Sequence, residues 1–358
     1  MAIRALATGG SEKGVITAAV LSACREEGIE FKSFFGVSVG LLCVIAHVLG
    51  LDDELESVFK NLNVKKDLQD MNSKDLALAM LVSWADSWRL TRWALNHFPW
   101  IKNALPPKKH AKSVFKDKFI RMLVDKYITL ENYEILKSKP LIEFPVFNLT
   151  TGEVEIKSTQ DNIPYELFKK YVLTAISIPG LYPGQKIEGN FIVDGGFVNN
   201  IALESAWYRC NNGDILLIFH NFPKKAPEIE MTDDWRFWWW LAIERRHIIE
   251  AADSMRLLNR WVNFCQSTEK RFNKYLPWRW FMGKPQNKLY RFSERVYLGY
   301  ISRKLKFPII KKVEFYPDHN LNLFKIPSPA KEDLREAFDC SRYNAREIIR
   351  QEVLSYIS

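Results

Sequence analysis

The stretch SFFGVSVGLLCVIAHVLG, residues 33–50, places a serine between two glycines at the spacing G-x-S-x-G. The apolar residues before Ser38 predict a buried strand over residues 29–37. The segment after it is apolar on all sides, which is typical of a deeply buried helix, and it ends at Gly50. A serine at a crowded strand-to-helix turn is the arrangement of a nucleophile elbow. The stretch therefore predicts an α/β fold and a candidate nucleophile, Ser38.

The N-terminal segment repeats the order strand, loop, helix. Residues 3–7 (IRALA) predict a short buried strand, and the Gly-rich turn TGGSEKG, residues 8–14, leads into an apolar-periodic helix that closes at Gly28. Backbone N–H groups of such a loop at a helix N-terminus can stabilise an oxyanion, because no side chain obstructs them. A phosphate-binding loop is disfavoured, since neither G-x-x-x-x-G-K-[ST] nor G-x-G-x-x-G fits these residues.

A third motif, VDGG, ends a predicted strand at residues 193–196. A carboxylate such as that of Asp194 is available at neutral pH to remove the proton of a serine hydroxyl. His220, which follows the apolar strand DILLIF, keeps a Ser-His-Asp arrangement open, because the order Ser38, Asp194, His220 suits an α/β-hydrolase. The residues alone leave both arrangements possible.

Together these motifs resemble the patatin-like phospholipase family, whose hallmarks are a Gly-rich oxyanion loop, a G-x-S-x-G elbow and a D-G-G/A motif that completes a Ser-Asp dyad. Residues 174–200, TAISIPGLYPGQKIEGNFIVDGGFVNN, are similar to the family's segment leading to its aspartate. The resemblance implies a three-layer α/β/α fold, modified from that of the α/β-hydrolases. It also implies hydrolysis of carboxylic esters of lipids, of phospholipase A or lysophospholipase type, through an acyl-serine and without a metal or organic cofactor.

The resemblance assigns a role to each motif residue. Ser38 is the expected nucleophile and Asp194 the expected base. The expected oxyanion loop consists of Gly9, Gly10, Ser11, Lys13 and Gly14. The motif glycines are Gly36, Gly40, Gly195 and Gly196.

Several residues depart from the family's pattern. Thr8 and Ser11 replace the Asp and the third Gly of the usual D-G-G-G run, and Ile201 replaces a usual Pro. Leu41 follows the elbow where a small residue is common, and its bulk could shift the nucleophile or narrow the acyl site. These departures motivate an alternative function, a catalytically weak patatin-like protein that binds a membrane or a protein partner.

The chain is long enough for one large elaborated domain, and we expect a single domain over residues 1–358. Within it, residues 52–138 have a helical pattern and are interpreted as a cap or insertion. Residues 225–300 are interpreted as a Trp-rich, basic helical elaboration.

The composition limits which cellular compartment and which binding partners we expect. The five cysteines are scattered and include no C-x-x-C pair, which argues against a disulfide framework or a zinc site and favours a reducing cytoplasm. No secretory signal is expected, and the longest uncharged apolar run, residues 41–51, is far shorter than the roughly 20 residues of a membrane span. A formal charge of +9 favours an anionic partner.

Seven of the twelve tryptophans fall between residues 235 and 280, mixed with Arg and Lys. Such aromatic and cationic residues suit the interface of a membrane with water, so peripheral association with an anionic lipid surface is one interpretation. A Trp-rich core or a protein interface is the other. Nucleic acid is not an expected partner, since no known binding motif accompanies the charge. The expected substrate is a phospholipid or another acyl-ester lipid, and the oligomeric state stays open.

Overall fold

The computed structural model describes residues 1–68, 113, 115–179, 181–200, 202–227, 245, 248, 249, 255, 256, 310–324 and 329–357. Both ends of the predicted insertion, residues 52–138, fall within these ranges and are helical. Most of the predicted Trp-rich elaboration, residues 225–300, lies outside the described residues, as does Ile201.

The described residues form one eight-stranded sheet. Its strands are β1 (Ile3–Ala7), β2 (Ser33–Gly36), β3 (Leu141–Asn148), β4 (Glu153–Ser158), β5 (Gln185–Ile187), β6 (Asn190–Asp194), β7 (Ile215–Phe219) and β8 (Lys311–Phe315). Hydrogen-bonded neighbours follow the path β5-β6-β3-β2-β1-β7-β8, with β4 also paired to β3. Strands β3, β2, β1, β7 and β8 are parallel, whereas β4 and β6 run antiparallel to β3.

All but the last of the helices lie in the connections between strands, and the last follows β8. They are α1 (Gly14–Glu26), α2 (Val39–Val48), α3 (Asp52–Asn61), α4 (Lys118–Tyr127), α5 (Leu130–Ser138), α6 (Tyr165–Ala175), α7 (Leu203–Tyr208) and α8 (Lys331–Ile348). A π-helical segment, Val64–Leu68, follows α3, and another, Ile349–Leu354, extends α8. No helix in the described part of the chain is both long and apolar enough to cross a membrane.

The strands are apolar on both faces, as expected for a parallel sheet that is covered on both sides. In β7, Ile215, Leu217 and Phe219 belong to the core on one face, whereas Leu216 and Ile218 belong to the core on the other. Helices α1, α2, α6 and α8 contribute to the first core and α7 to the second. The predicted three-layer α/β/α architecture is therefore confirmed.

Strands β2 and β6 lie end to end along the same side of β3. Its residues 141–143 pair in parallel with β2, and its residues 146–148 pair antiparallel with β6. Since β4 pairs with β3 over residues 143–148, β4 takes one side of β3 and leaves the other side to β2 and β6. The carboxyl ends of β2 and β6 consequently point toward each other. This topology brings together the residues that follow β2 and those that end β6.

Most strands predicted from the sequence are confirmed, but β2 begins at Ser33 and not at residue 29. The reason lies at the end of α1. Gly28 adopts a φ of 69°, and the next N–H, from Ile29, donates to the carbonyl of Cys24. Residues just after Gly28 therefore cap the helix and are not available to pair with the sheet.

Candidate active site

Ser38 lies at the turn between β2 and α2, in a backbone conformation with φ 52° and ψ −129°. Side-chain-bearing residues rarely adopt this region, and each such residue has a strain of about 1–3 kcal/mol. Glycines make the turn possible: a Cβ at Gly36 would lie 2.7 Å from the Cα of Leu41, and one at Gly40 would lie 2.6 Å from the carbonyl oxygen of Ala7. The crowding predicted for a nucleophile elbow is thus present at Ser38.

This strain predicts an unusual order of stability. Ser38→Gly should be more stable than Ser38→Ala by about 1–2 kcal/mol, because glycine adopts a positive φ without steric penalty. At Ser33, a strand residue used as the control, glycine should be less stable than alanine. Urea unfolding of the four variants measures both differences, and the same order at both positions would contradict the proposed strain.

Asp194 ends β6 and is almost completely buried, with 1% of its surface exposed. Its Oδ1 accepts a hydrogen bond from the N–H of Gly196 at 2.7 Å, and the Ser38 hydroxyl lies close enough to this carboxyl to act on its pKa. Burial raises the pKa of Asp194 from 3.8 to about 7, although the Ser38 hydroxyl and the Gly196 N–H both act to lower it. The structure therefore brings the two residues together and poises the carboxyl to exchange a proton near neutral pH.

The glycines after Asp194 allow the close approach of this turn to its neighbours. A Cβ at Gly195 would lie 2.6 Å from the carbonyl carbon of Pro145 in β3. One at Gly196 would lie 2.9 Å from Cγ1 of Val37, the residue before Ser38. Side chains at either position would push Asp194 away from the elbow.

The Gly-rich loop packs directly against the elbow. A Cβ at Gly9 would lie 2.8 Å from the Cβ of Ser38. Ser11 has a φ of 52°, so the third residue of the loop keeps a conformation that favours glycine. Among the described residues, no acceptor takes a hydrogen bond from the backbone N–H groups of Gly9, Gly10 and Ser11, nor from that of Val39, which follows Ser38.

Lys13 and Gly14 occupy a different position in the loop. The N–H of Lys13 donates to the carbonyl of Gly10 at 3.0 Å, and that of Gly14 bonds within the same turn. The Lys13 ammonium is buried and pairs with Glu12 at 2.9 Å. A Cβ at Gly14 would lie 2.5 Å from a methyl carbon of Val39. These two residues hold the loop against α2, while their N–H groups are already engaged.

An apolar cavity of about 60 Å³ opens beside Ser38. It runs between α2, α3 and α4, so the described ends of the predicted insertion build much of its wall. The polar residues of the wall are Ser11, Glu12, Ser38, Tyr127 and Tyr182. The apolar residues are Val39, Leu42, Leu55, Val58, Phe59, Leu62, Leu68, Phe119, Ile120, Leu123, Ile176 and Ile178.

The sequence model of the family described as "Patatin-like phospholipase" matches residues 6–207, a span that includes the Gly-rich loop, the elbow and the D-G-G turn. The chain belongs to the patatin-like phospholipase family. Its members are in general lipid acyl hydrolases. Among curated proteins, no sequence matches the chain.

Among solved structures, the chain is similar to the crystal structure of VipD from Legionella pneumophila, with a TM-score of 0.36 and 13% sequence identity. The similarity covers 96% of this chain and 66% of the VipD chain, so this protein spans just under two thirds of that length.

The departures from the patatin-like pattern have structural explanations. The Thr8 hydroxyl donates to the carbonyl of Phe219 at 3.0 Å and accepts from the N–H of Asn221 at 3.0 Å. A hydroxyl can do both, whereas a carboxylate only accepts. Leu41 is fully buried, and the cavity wall includes Val39 and Leu42 of α2 but not Leu41. Leu41 is therefore not one of the residues that line this cavity.

Two asparagines that the sequence analysis did not assign to the site support the loop. Asn200 donates from Nδ2 to the carbonyl of Gly9 at 3.3 Å and lies between the Gly-rich loop and Gly196. Asn221, at 0% exposure, donates to the carbonyl of Thr8 at 2.6 Å and accepts from the Thr17 hydroxyl at 2.8 Å. Asn200 stands at the end of the segment that resembles the family, but no spacing rule pointed to Asn221.

We expect Thr8→Val to reduce both stability and activity. The isosteric change removes two buried hydrogen bonds and leaves the Asn221 N–H without its acceptor, a loss of about 1–3 kcal/mol in unfolding free energy. Ester hydrolysis should fall ~10-fold because the loop loses its anchor. Thr159→Val is the control: the hydroxyl of this buried residue accepts from the N–H of Ile142 at 3.2 Å, away from the elbow. The control should lose stability alone, and equal losses of activity would contradict the role of Thr8.

His220 does not face the elbow. It is 2% exposed, stacks on the ring of Tyr316 at 4.1 Å, and lies 3.6 Å from the Glu314 carboxylate. Burial lowers the pKa of His220. Its neighbours belong to β8 and the residues after it, and it is not part of the cavity wall beside Ser38. In the described part of the chain, no cluster of three or more His, Cys, Asp or Glu side chains could hold a metal ion.

Proposed function

We propose that the protein hydrolyses carboxylic esters of lipids through a Ser38-Asp194 dyad. The observation that carries this proposal is the proximity of a strained, buried serine to a carboxyl whose pKa is about 7, on the wall of an apolar cavity. A general base works best when its pKa is close to the operating pH. The pKa of Asp194 meets this requirement. A general base must also lie close to the proton that it removes, and Asp194 lies beside Ser38.

In the acylation step, the Ser38 oxygen attacks the ester carbonyl carbon while its proton passes to Asp194. The carbonyl oxygen becomes an oxyanion, which we place near the N–H groups of Gly9, Gly10, Ser11 and Val39, since these donors have no acceptor among the described residues. The tetrahedral intermediate collapses, the bond to the alcohol breaks, and Asp194 returns its proton to the leaving alcohol. Lys13 and Gly14 support the loop in this scheme.

In the second step, the same carboxylate takes a proton from water, whose oxygen attacks the acyl-serine. The fatty acid leaves and Ser38 regains its proton from Asp194. The scheme uses no metal ion and no organic cofactor, because the base and the oxyanion donors are all groups of this chain.

The cavity favours an acyl chain over a polar substituent. Its wall is apolar apart from the five polar residues, so burial of each methylene contributes about 0.8 kcal/mol. Phe197 and Val198, directly after the D-G-G turn, are 43% and 42% exposed. Exposed apolar side chains after the D-G-G turn support contact with a lipid surface, and the charge of +9 supports an anionic one.

The test is release of free fatty acid from vesicles of phosphatidylcholine with and without phosphatidylglycerol. Wild type should release fatty acid, and Ser38→Ala should release none while it still binds the vesicles. Vesicle binding by both proteins, with no release by either, would favour the alternative of a patatin-like binding protein.

A further inference from the structure

Two short segments that contribute to the cavity wall also carry an excess of positive charge. Residues 62–68 and 115–121 each supply two apolar side chains to the wall. Together the two segments contain five basic residues and two acidic ones. Three of the lysines, Lys65, Lys66 and Lys118, are exposed. The same segments therefore have apolar side chains toward the cavity and cationic side chains toward solvent.

The two segments lie next to each other in the fold. The π-helical segment Val64–Leu68 packs against α4, whose first residue is Lys118. Tyr182 also joins the segments, because its hydroxyl donates to the carbonyl of Leu68 at 2.8 Å and its ring lies 6.0 Å from that of Phe115. The exposed lysines are thus on neighbouring parts of one surface. We call this surface, formed by Lys65, Lys66 and Lys118, the basic face.

The charge of the basic face is not compensated within the described chain. None of its three ammonium groups has an ion-pair or hydrogen-bond partner among the described residues. The two acidic residues of these segments are engaged elsewhere: Asp117 pairs with Arg121 at 2.7 Å, and Asp67 accepts from the N–H of Asn63 at 2.9 Å. Lys118 is also the first residue of α4, where the helix dipole disfavours a cation. These lysines therefore do not stabilise the fold through ion pairs.

An exposed apolar side chain accompanies the lysines. Met122 is 51% exposed and lies four residues after Lys118 in α4, so the two side chains are on the same side of the helix. Cations next to an exposed apolar side chain suit the surface of an anionic membrane, where ammonium groups meet lipid phosphates and the apolar group enters the acyl boundary. Nucleic acid would also attract the lysines, but an exposed methionine and an adjacent apolar cavity favour lipid.

Building on the proposed esterase function, we propose that the basic face docks the protein on an anionic membrane surface. Docking in this orientation places the segments that wall the acyl cavity against the lipid that supplies the acyl chain. The surface is specific to residues 62–68 and 115–121, and the overall charge of the chain is not sufficient for it.

The test is sedimentation with vesicles of phosphatidylcholine, with and without phosphatidylglycerol. Ser38→Ala serves as the parent protein, so that no hydrolysis alters the vesicles and the result does not depend on the esterase function. The salt concentration is about 0.1 M, at which charges more than about 10 Å apart are largely screened. The parent should bind the vesicles that contain phosphatidylglycerol and bind those of phosphatidylcholine alone much more weakly.

The decisive variant adds Lys65→Glu, Lys66→Glu and Lys118→Glu to the parent. Each lysine near an anionic surface strengthens binding ~5-fold, so the affinity for anionic vesicles should fall ~100-fold or more. The matched control adds Lys32→Glu, Lys139→Glu and Lys331→Glu, three exposed lysines outside the basic face, and has the same net charge. The control should lose less than ~5-fold. Circular dichroism checks that both variants fold.

The apolar contribution is tested separately. Met122→Gln keeps the length of the side chain but removes its apolar character, and it should weaken binding to anionic vesicles ~3–10-fold. Tyr343→Gln is the control, since Tyr343 is 67% exposed but lies on α8. Equal affinities of the parent and Met122→Gln would overturn insertion of the methionine.

Two results would overturn the docking surface itself: no preference of the parent for anionic vesicles, or equal losses in the two triple variants, which would show that net charge alone attracts the protein. The outcome is separable from that of the esterase function. If wild type cleaves no ester but the basic face is required for vesicle binding, the esterase function fails and the docking surface stands. If wild type cleaves esters but the basic face is not required for vesicle binding, only the docking surface fails.

Discussion

Asp194→Asn should reduce ester hydrolysis by ~10³-fold or more, in line with the 10²–10⁴-fold effect of a positioned general base. The amide oxygen can still accept from the Gly196 N–H, so the turn keeps its geometry. It cannot remove the Ser38 proton at any accessible pH. The comparison is kcat/KM for fatty acid release by wild type and variant at pH 8, with circular dichroism as the control for folding. A variant that keeps a tenth of the activity would exclude Asp194 as the base.

The same substitution should make the folded protein more stable at pH 8. Asp194 has a folded pKa of about 7 against an ordinary value of 3.8, so the folded state binds this proton more tightly than the unfolded state. Its favourable contribution is complete below pH 3.8 and is lost as the pH rises through about 7. Removal of the buried charge should raise the unfolding free energy on the order of 2–4 kcal/mol at pH 8.

Urea unfolding of wild type and Asp194→Asn at pH 8 and near pH 4 measures this effect. The gain should be present at pH 8 and nearly absent near pH 4, where the folded wild type is already protonated. If Asp194→Asn were less stable than wild type at pH 8, the buried carboxylate of Asp194 would not be destabilising the folded state, and this account would be wrong. Asp194→Asn should therefore gain stability and lose activity, which is the expected result when a catalytic residue destabilises the folded state.

The pH dependence of hydrolysis is the second large effect. If Asp194 must be ionised to act, kcat/KM should rise ~10-fold per pH unit below about 7 and level off above it. Over two units the change is ~100-fold. Initial rates on a soluble p-nitrophenyl ester between pH 5 and 9 give this profile without interference from vesicle stability.

His220→Gln is the matched control for the pH profile. His220 is engaged with Tyr316 and Glu314, away from the cavity, so the variant should retain the midpoint near 7. Loss of both the midpoint and the activity in this variant would favour a Ser-His-Asp arrangement over the dyad.

Short-range patterns were sufficient to predict the elbow, the Gly-rich loop and the strand that ends at Asp194. Each of these features rests on the conformation of a few adjacent residues, such as the positive φ at Ser38 and the crowded position of Gly40. The three-layer fold followed from the alternation of apolar strands and helices.

The features that were not predicted depend on long-range packing. No spacing of residues in the sequence indicates that the carboxyl ends of β2 and β6 face each other beside β3. This arrangement is what brings Asp194 close to Ser38. Asn221 lies 213 positions after Thr8, to which it bonds, and Tyr127 joins the cavity from a helix that is separate in sequence from the elbow. Val39 was missed because the contribution that we propose for it is a backbone N–H, which any residue but proline supplies.

The central claim is that Ser38 is the nucleophile, and covalent labelling tests it most directly. A decyl fluorophosphonate reacts with an activated serine so that an oxygen–phosphorus bond forms and fluoride leaves. Intact-protein mass spectrometry should show one added phosphonyl group on wild type, peptide mapping should locate it at Ser38, Ser38→Ala should not react, and Asp194→Asn should react ~10²-fold or more slowly. Labelling of another residue, or equal labelling of wild type and Ser38→Ala, would contradict the account.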